Sequence, residues 1–170
     1  MEAEPDEEAA HEIMLEEAEH GNAYAMHDMG KIYAQGIGCE ADKEMADVWY
    51  KKALAAMQYV EQKKKNTYLE YRIGKMYQYG LGTEENLEQA AEWFSKAAAK
   101  EHKYALYSLG MLYLQGKGVE QNEETAYSLC SGLTAREIPM RRMNLENFMR
   151  QDAEQRKIRK SRKIVIVLPF

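Results

Sequence analysis

Three stretches of the chain carry one pattern: YAMHDMGKIYAQGIGCEADKEMA from Tyr24 to Ala46, YLEYRIGKMYQYGLGTEENLEQA from Tyr68 to Ala90, and YALYSLGMLYLQGKGVEQNEETA from Tyr104 to Ala126. Superposed on Gly30, Gly74 and Gly110, the copies share a Tyr three residues on (Tyr33, Tyr77, Tyr113). They also share glycines six and eight residues on (Gly36 and Gly38, Gly80 and Gly82, Gly116 and Gly118) and an Ala sixteen on (Ala46, Ala90, Ala126). Self-similarity at such a period marks a solenoid, in which each unit buries its apolar face against its neighbours. The expectation is a binding scaffold rather than an enzyme.

Each copy resolves into two helices. The first puts small and apolar residues at i, i+4, i+7, i+8 and i+11, as in Leu69, Ile73, Met76, Tyr77 and Gly80, which form one face of an amphipathic helix. The second repeats at i, i+3, i+4 and i+7: Ala46, Trp49, Tyr50 and Ala53, then Ala90, Trp93, Phe94 and Ala97. The G-x-G between them can end a helix in the left-handed region without steric cost, and Asp42, Asn86 and Asn122 suit the start of the next. Gly30, Gly74 and Gly110 fall inside the first helices, where glycine costs about 1 kcal/mol relative to Ala. Its recurrence implies a packing notch for a Trp or aromatic of the second helix. A phosphate loop would need a preceding strand and a following Lys-Ser or Lys-Thr, and neither is present.

The pattern A-x-x-x-[LIM]-G-x-[IML]-Y-x-x-G-x-G, followed by A-x-x-W-[YF]-x-K-A, resembles the Sel-1-like repeat, a relative of the tetratricopeptide repeat, over about residues 21–133. In the third copy Leu129 and Cys130 replace the Trp and aromatic, and Leu133 replaces the last Ala. The resemblance implies an all-α, right-handed α/α superhelical solenoid of about three helix hairpins with capping helices, serving as a non-catalytic protein-interaction scaffold or adaptor. The wording of the repeats is also similar to repeats appended to plasmid mobilisation relaxases of the MobA/MobL type, which implies a bacterial setting and an alternative role as a detached accessory segment of that machinery.

The sequence divides into an acidic N-terminal segment and capping helix (1–20), three repeats (21–135, with copies at about 21–57, 67–100 and 103–135) and a basic C-terminal helix and tail (136–170). The first twenty residues hold nine acids and no Lys or Arg, no run approaches a membrane span, and two cysteines make no disulfide framework. The expected compartment is therefore the cytoplasm. Residues 1–8 are expected to fray. From Ala9 to Glu19, Ile13, Met14, Leu15 and Ala18 resemble the second helix of a preceding repeat, closed by His20, Gly21 and Asn22.

Equivalent glycines lie 44 residues apart between copies one and two, and 36 apart between two and three. The extra eight residues contain no Gly or Pro, so the second helix of copy one should run about two turns longer, ending near Lys63, Lys64 and Lys65, where cations suit the helix dipole.

Past Leu133 the composition changes sign. Residues 136–170 carry about +6, and the rest about −11, within a net charge of −5. Leu145, Phe148 and Met149 suggest a helix covering the open end of copy three. The run Arg156, Lys157, Arg159, Lys160, Arg162 and Lys163 reads as a solvated helix end or as a contact seeking acids in this chain or a homodimer; phosphate attraction to nucleic acid or a membrane surface is the rarer reading. Ile164 to Phe170 fits an edge strand, a docking tail or a plain chain end equally well.

No catalytic or cofactor motif emerges. His11, His20, His27 and His102 lack partners at i+3 or i+4 for a metal face, and Cys39 and Cys130 make no local C-x-x-C. Both cysteines read as small buried residues. Expectations are thus no catalytic residue, no metal and no cofactor, with the chain a monomer or weak homodimer.

In tetratricopeptide-like solenoids the first helices line the concave surface, and the positions off their core face repeat here as His27, Tyr71 and Tyr107, then as Lys31, Lys75 and Met111, with Arg72 alongside. A His-Tyr-Tyr stacking column flanked by cations would take an extended or helical peptide of acidic character, with aromatics as anchors and Lys31, Arg72 and Lys75 as charge partners.

Overall fold

The computed structural model describes residues 5–131, with side chains from residue 9 onward. They form seven helices: α1 (Pro5–Glu19), α2 (Ala23–Gln35), α3 (Lys43–Lys63), α4 (Thr67–Tyr79), α5 (Leu87–Ala98), α6 (Lys103–Gln115) and α7 (Glu123–Ser131). There is no strand among the described residues. The pairs α2/α3, α4/α5 and α6/α7 are the three hairpins, and the whole is an all-α repeat solenoid.

The repeated polar and glycine positions define the hairpins. Asn22, Asp42, Asn66 and Asn86 cap α2, α3, α4 and α5 by accepting backbone N–H bonds through their side chains. Asn122 likewise accepts from the Thr125 amide at 2.9 Å. Gly36, Gly80 and Gly116 end the first helices at φ between 63° and 68°. The mid-helix glycines are notches. A Cβ on Gly30 would lie 2.6 Å from the Tyr50 ring, one on Gly74 would lie 2.6 Å from Phe94, and one on Gly110 would lie 2.6 Å from Cys130 Sγ. The notch thus receives the aromatic that follows Trp, rather than Trp itself, and in copy three the thiol takes that place.

At the N-terminal end α1 packs Met14, Leu15 and Ala18 with Ala25, Met29 and Trp49, supplying the expected capping helix. It starts at Pro5 rather than Ala9. Pro lacks the N–H that a first helical residue leaves unbonded anyway, so the helix extends through part of the acidic stretch expected to fray.

The long α3 matters most for the shape. It runs 21 residues against 12 for α5, and its added turns bury Met57 against Leu69, Ile73 and Met76 of α4. Because α4 starts two turns further along, its following loop reaches only halfway back: Gly82 lies against the Tyr50–Lys51 backbone. One repeat later Gly118 lies against Leu87 and Glu88, at the start of α5. Since Leu87 corresponds to Lys43, the two loops dock seven residues apart in repeat register, or about 10 Å along a helix. Both positions leave no room for a Cβ.

Leu133, the helix expected around Leu145, Phe148 and Met149, the basic run 156–163 and residues 164–170 lie outside the described residues.

Candidate functional site

The unequal second helices change which first-helix residues meet. At the junction of repeats one and two the tyrosines that open the copies pair in register: the rings of Tyr24 and Tyr68 are 5.8 Å apart. At the next junction Tyr71, not Tyr68, meets Tyr104, at 6.0 Å, with His102 between the two turns at 4.8 Å from Tyr71, 5.9 Å from Tyr104 and 6.4 Å from Tyr68. These separations are those of ordinary attractive ring pairs. A continuous aromatic line, Tyr24, Tyr68, His102, Tyr71 and Tyr104, therefore crosses all three repeats along the edge where the first helices begin. Sequence reasoning missed this line, although a Tyr at the head of every copy was the available signal.

The residues of the expected His27, Tyr71 and Tyr107 column each pack against second-helix residues of their own hairpins. The His27 ring lies 5.5 Å edge-on from Tyr50 and is largely enclosed between α2, α3 and α4. Tyr71 packs against Phe94 at 5.8 Å, and Tyr107 and Met111 pack against the cluster of Leu114, Ala126 and Cys130. These positions, four residues past the helix start, are thus half inside the fold, because the helices packed around them press on that side.

Arg72 is a tie between repeats. Its guanidinium sits 5.4 Å from the Tyr24 ring centre and 5.3 Å from that of Tyr68, its Nε donates to Tyr68 Oη at 3.2 Å, and its Nη1 lies 3.3 Å from His27 Nδ1 and 3.7 Å from Asp28 Oδ1. Burial holds the His27 pKa below its ordinary value; the Asp28 hydrogen bond opposes this and Arg72 adds to it. Nδ1 serves one of these partners at a time: protonated it donates to Asp28, and unprotonated it accepts from Arg72. Lys75 donates to Gln78 Oε1 and Tyr79 Oη, both at 2.9 Å, and lies over the Tyr79 ring. Lys31 is exposed on α2.

Under the aromatic line, Glu70 is almost wholly buried and accepts from Lys100 Nζ at 2.6 Å, while its Oε2 has no partner among the described residues. His102 caps α6 through Nδ1, which accepts from the Ala105 amide at 3.3 Å, and burial lowers its pKa with help from Lys103.

The opposite edge, where the G-x-G loops lie, is acidic, with Glu40, Glu84, Glu85 and Glu120 exposed. An open depression of about 590 Å³ is lined there by Tyr33, Cys39 and the start of α3, and another of about 480 Å³ by Tyr113, Val119 and the loop before α7. Cys39 is consequently half-exposed rather than buried as the sequence implied, because its loop borders this depression. Cys130 is buried as expected, and burial pushes its thiol pKa up to about 11. Among the described residues no group of His, Cys, Asp and Glu could hold a metal, and no helix is long and apolar enough to cross a membrane.

Comparison with solved structures agrees with this architecture. The protective antigen c5321 of uropathogenic Escherichia coli, which displays an SLR fold, is 26% identical with a TM-score of 0.57; the match covers 86% of this chain, which spans 30% of that one. A Sel1 repeat protein from Oxalobacter formigenes is 22% identical with a TM-score of 0.54, over 79% of this chain and 95% of its own, a likeness of fold alone. No curated protein matches. The Sel1 repeat profile matches residues 23–56, 68–102 and 103–131, one match per hairpin. More than half of the sequence lies within these matches, and the chain belongs to the Sel1 repeat family.

Proposed function

We propose that this chain is a non-catalytic scaffold that binds a segment of a partner protein on its repeat surface. Sel1-repeat proteins are in general protein-interaction scaffolds. The observation that carries the reading here is the continuous aromatic line across three hairpins, with tyrosines 37–46% exposed at Tyr104 and Tyr68. Tyr and Arg dominate binding hot spots because they bring large contact area at low conformational cost.

Of the residues nominated from sequence, Tyr71 is the best placed to touch a partner, whereas Lys31 stands about two turns further along α2 than the aromatic line. His27 and Arg72 support the surface by locking repeat one to repeat two, and Lys75 is held by Tyr79. We place the protein in the cytoplasm, as a monomer or weak homodimer. A pull-down from host lysate with the full chain, compared with Tyr68→Ala and Tyr104→Ala variants of retained helicity, tests the reading. Loss of a specific protein from both variants supports it, and an identical catch from all three forms opposes it.

The alternative, an accessory segment of mobilisation machinery, rests on the basic run Arg156 to Lys163. It requires a DNA affinity that falls steeply with salt and disappears when that run is deleted.

A further inference from the structure

Where it crosses the second and third repeats, the aromatic line is flanked by cations, in a chain of net charge −5. Around it stand Arg72, Lys100 and Lys103, together with Lys63, Lys64 and Lys65 at the end of α3 and in the loop leading to α4. Exposed acids on this edge include Glu101 and, at the Tyr24 end, Glu19 and Glu17, which accepts from Asn22 Nδ2 at 3.2 Å; Glu70 is buried and paired with Lys100, and Asp28 lies 3.7 Å from Arg72. The opposite edge holds Glu40, Glu84, Glu85 and Glu120, and the chain carries a net −5. Cations are therefore gathered beside the exposed Tyr68 and Tyr104, while the opposite edge of the repeats is acidic. Lys103 lies 5.5 Å from the Tyr104 ring centre and Lys63 lies 4.6 Å from that of Tyr59, itself 58% exposed. The charges are held against the rings.

We propose that the edge formed by Tyr24, Tyr68, Tyr71, His102 and Tyr104 is a docking strip for an acidic, extended segment of a partner protein. The aromatic faces supply contact area, and Arg72, Lys103 and Lys63 to Lys65 supply the complementary charge. This rests on the scaffold reading above and names the partner's chemistry and its place. Three first helices at about 10 Å spacing span about 20 Å, and an extended chain rises about 3.3 Å per residue. The strip therefore accommodates about six residues. Complementary charge chiefly sets association rate and selects against basic competitors, and the acidic G-x-G edge repels the same segment, so one edge is chosen over the other.

Panning phage-displayed random dodecapeptides against the full chain, then measuring each enriched peptide by fluorescence anisotropy, tests the proposal. The variants are Tyr68→Ser, Tyr104→Ser, Lys103→Glu and the double Lys31→Ala/Lys75→Ala, each checked for helicity and thermal midpoint. A glutamate in the first turn of α6 suits the helix dipole, so Lys103→Glu keeps the fold while reversing one charge of the strip. The expected result is a selected set rich in Asp and Glu whose affinity falls at least tenfold with Lys103→Glu and with either Tyr→Ser change, and is little altered by the double variant. Peptides without excess acid, or peptides weakened only by Lys31→Ala/Lys75→Ala, overturn the inference and leave the scaffold reading standing. A labelled oligothymidine bound more tightly than any peptide, with the same dependence on Tyr104, also overturns it. Failure to enrich any peptide sinks both readings.

Discussion

Lys100 Nζ of repeat two reaches back 30 residues to Glu70 Oε1 at 2.6 Å, closing the turn between α5 and α6 over the first turn of α4. Glu70 occupies the place that Met26 and Leu106 hold in the other copies. An apolar side chain is what this position ordinarily takes. The carboxylate is tolerated because one oxygen has a cation and the first turn of a helix favours negative charge.

Removing one member of this pair should therefore differ from removing the charge altogether. Lys100→Met leaves a buried carboxylate uncompensated and should cost about 2 kcal/mol, below the usual range for a buried pair because the Lys100 side chain is 40% exposed. Glu70→Leu restores the pattern of copy three and should be neutral or stabilising by up to about 1 kcal/mol. Urea denaturation of both variants checks this, and a Glu70→Leu protein less stable than Lys100→Met would refute it.

The turn that Lys100 closes contains Glu101 at φ 59°, the sole non-glycine with positive φ among the described residues. The matching position between α1 and α2 is Gly21, at φ 90°. A side chain in the left-handed region costs roughly 1–2 kcal/mol, partly offset by the greater freedom glycine has when unfolded. Glu101→Gly should accordingly raise stability by about 1 kcal/mol, read as a higher thermal midpoint.

The notches make an opposite prediction. Gly74→Ala gains helix propensity of about 1 kcal/mol but drives a methyl to 2.6 Å from the rigid ring of Phe94. Overpacking of this kind costs about 1–3 kcal/mol or more, so a net loss is expected. The double variant Gly74→Ala/Phe94→Leu should recover part of it. Equal stability of the single and double variants in chemical denaturation would show that the notch is not the cause.

Acid should weaken the fold through His102 and His27. Both pKa values lie below the ordinary one because burial disfavours the charged ring. With the folded value depressed, the contribution is complete above the unfolded value of about 6.5 and is lost as pH falls through the folded value. For His102 the loss has a structural meaning, since a protonated Nδ1 no longer accepts from the Ala105 amide and places charge at the positive end of α6. His102→Asn introduces the residue that caps α2 and α4 and should flatten the decline in urea midpoint below pH 6.5. A slope identical to the wild type would exclude His102 as its source.

Much of this molecule is legible in one dimension. The recurrence of Gly30, Gly74 and Gly110 announced hairpins with a close contact in each, and the eight extra residues before Thr67 announced a longer α3. Helix periodicity, capping residues and left-handed glycines are local properties, so composition and spacing suffice to read them. The family itself follows from the same local pattern.

Which residues face one another across repeats is a different kind of fact. His27, Tyr71 and Tyr107 occupy one repeat position, yet Tyr71 meets His102 and Tyr104 while His27 meets Tyr50 and Arg72. The length of α3 relative to α5 sets a separate register at each junction, and a shift of about one turn exchanges one ring for another. Spacing along the chain determined the hairpins; only packing between them, where helices of unequal length are laid side by side, decided that Tyr24, Tyr68, His102, Tyr71 and Tyr104 would form a single edge.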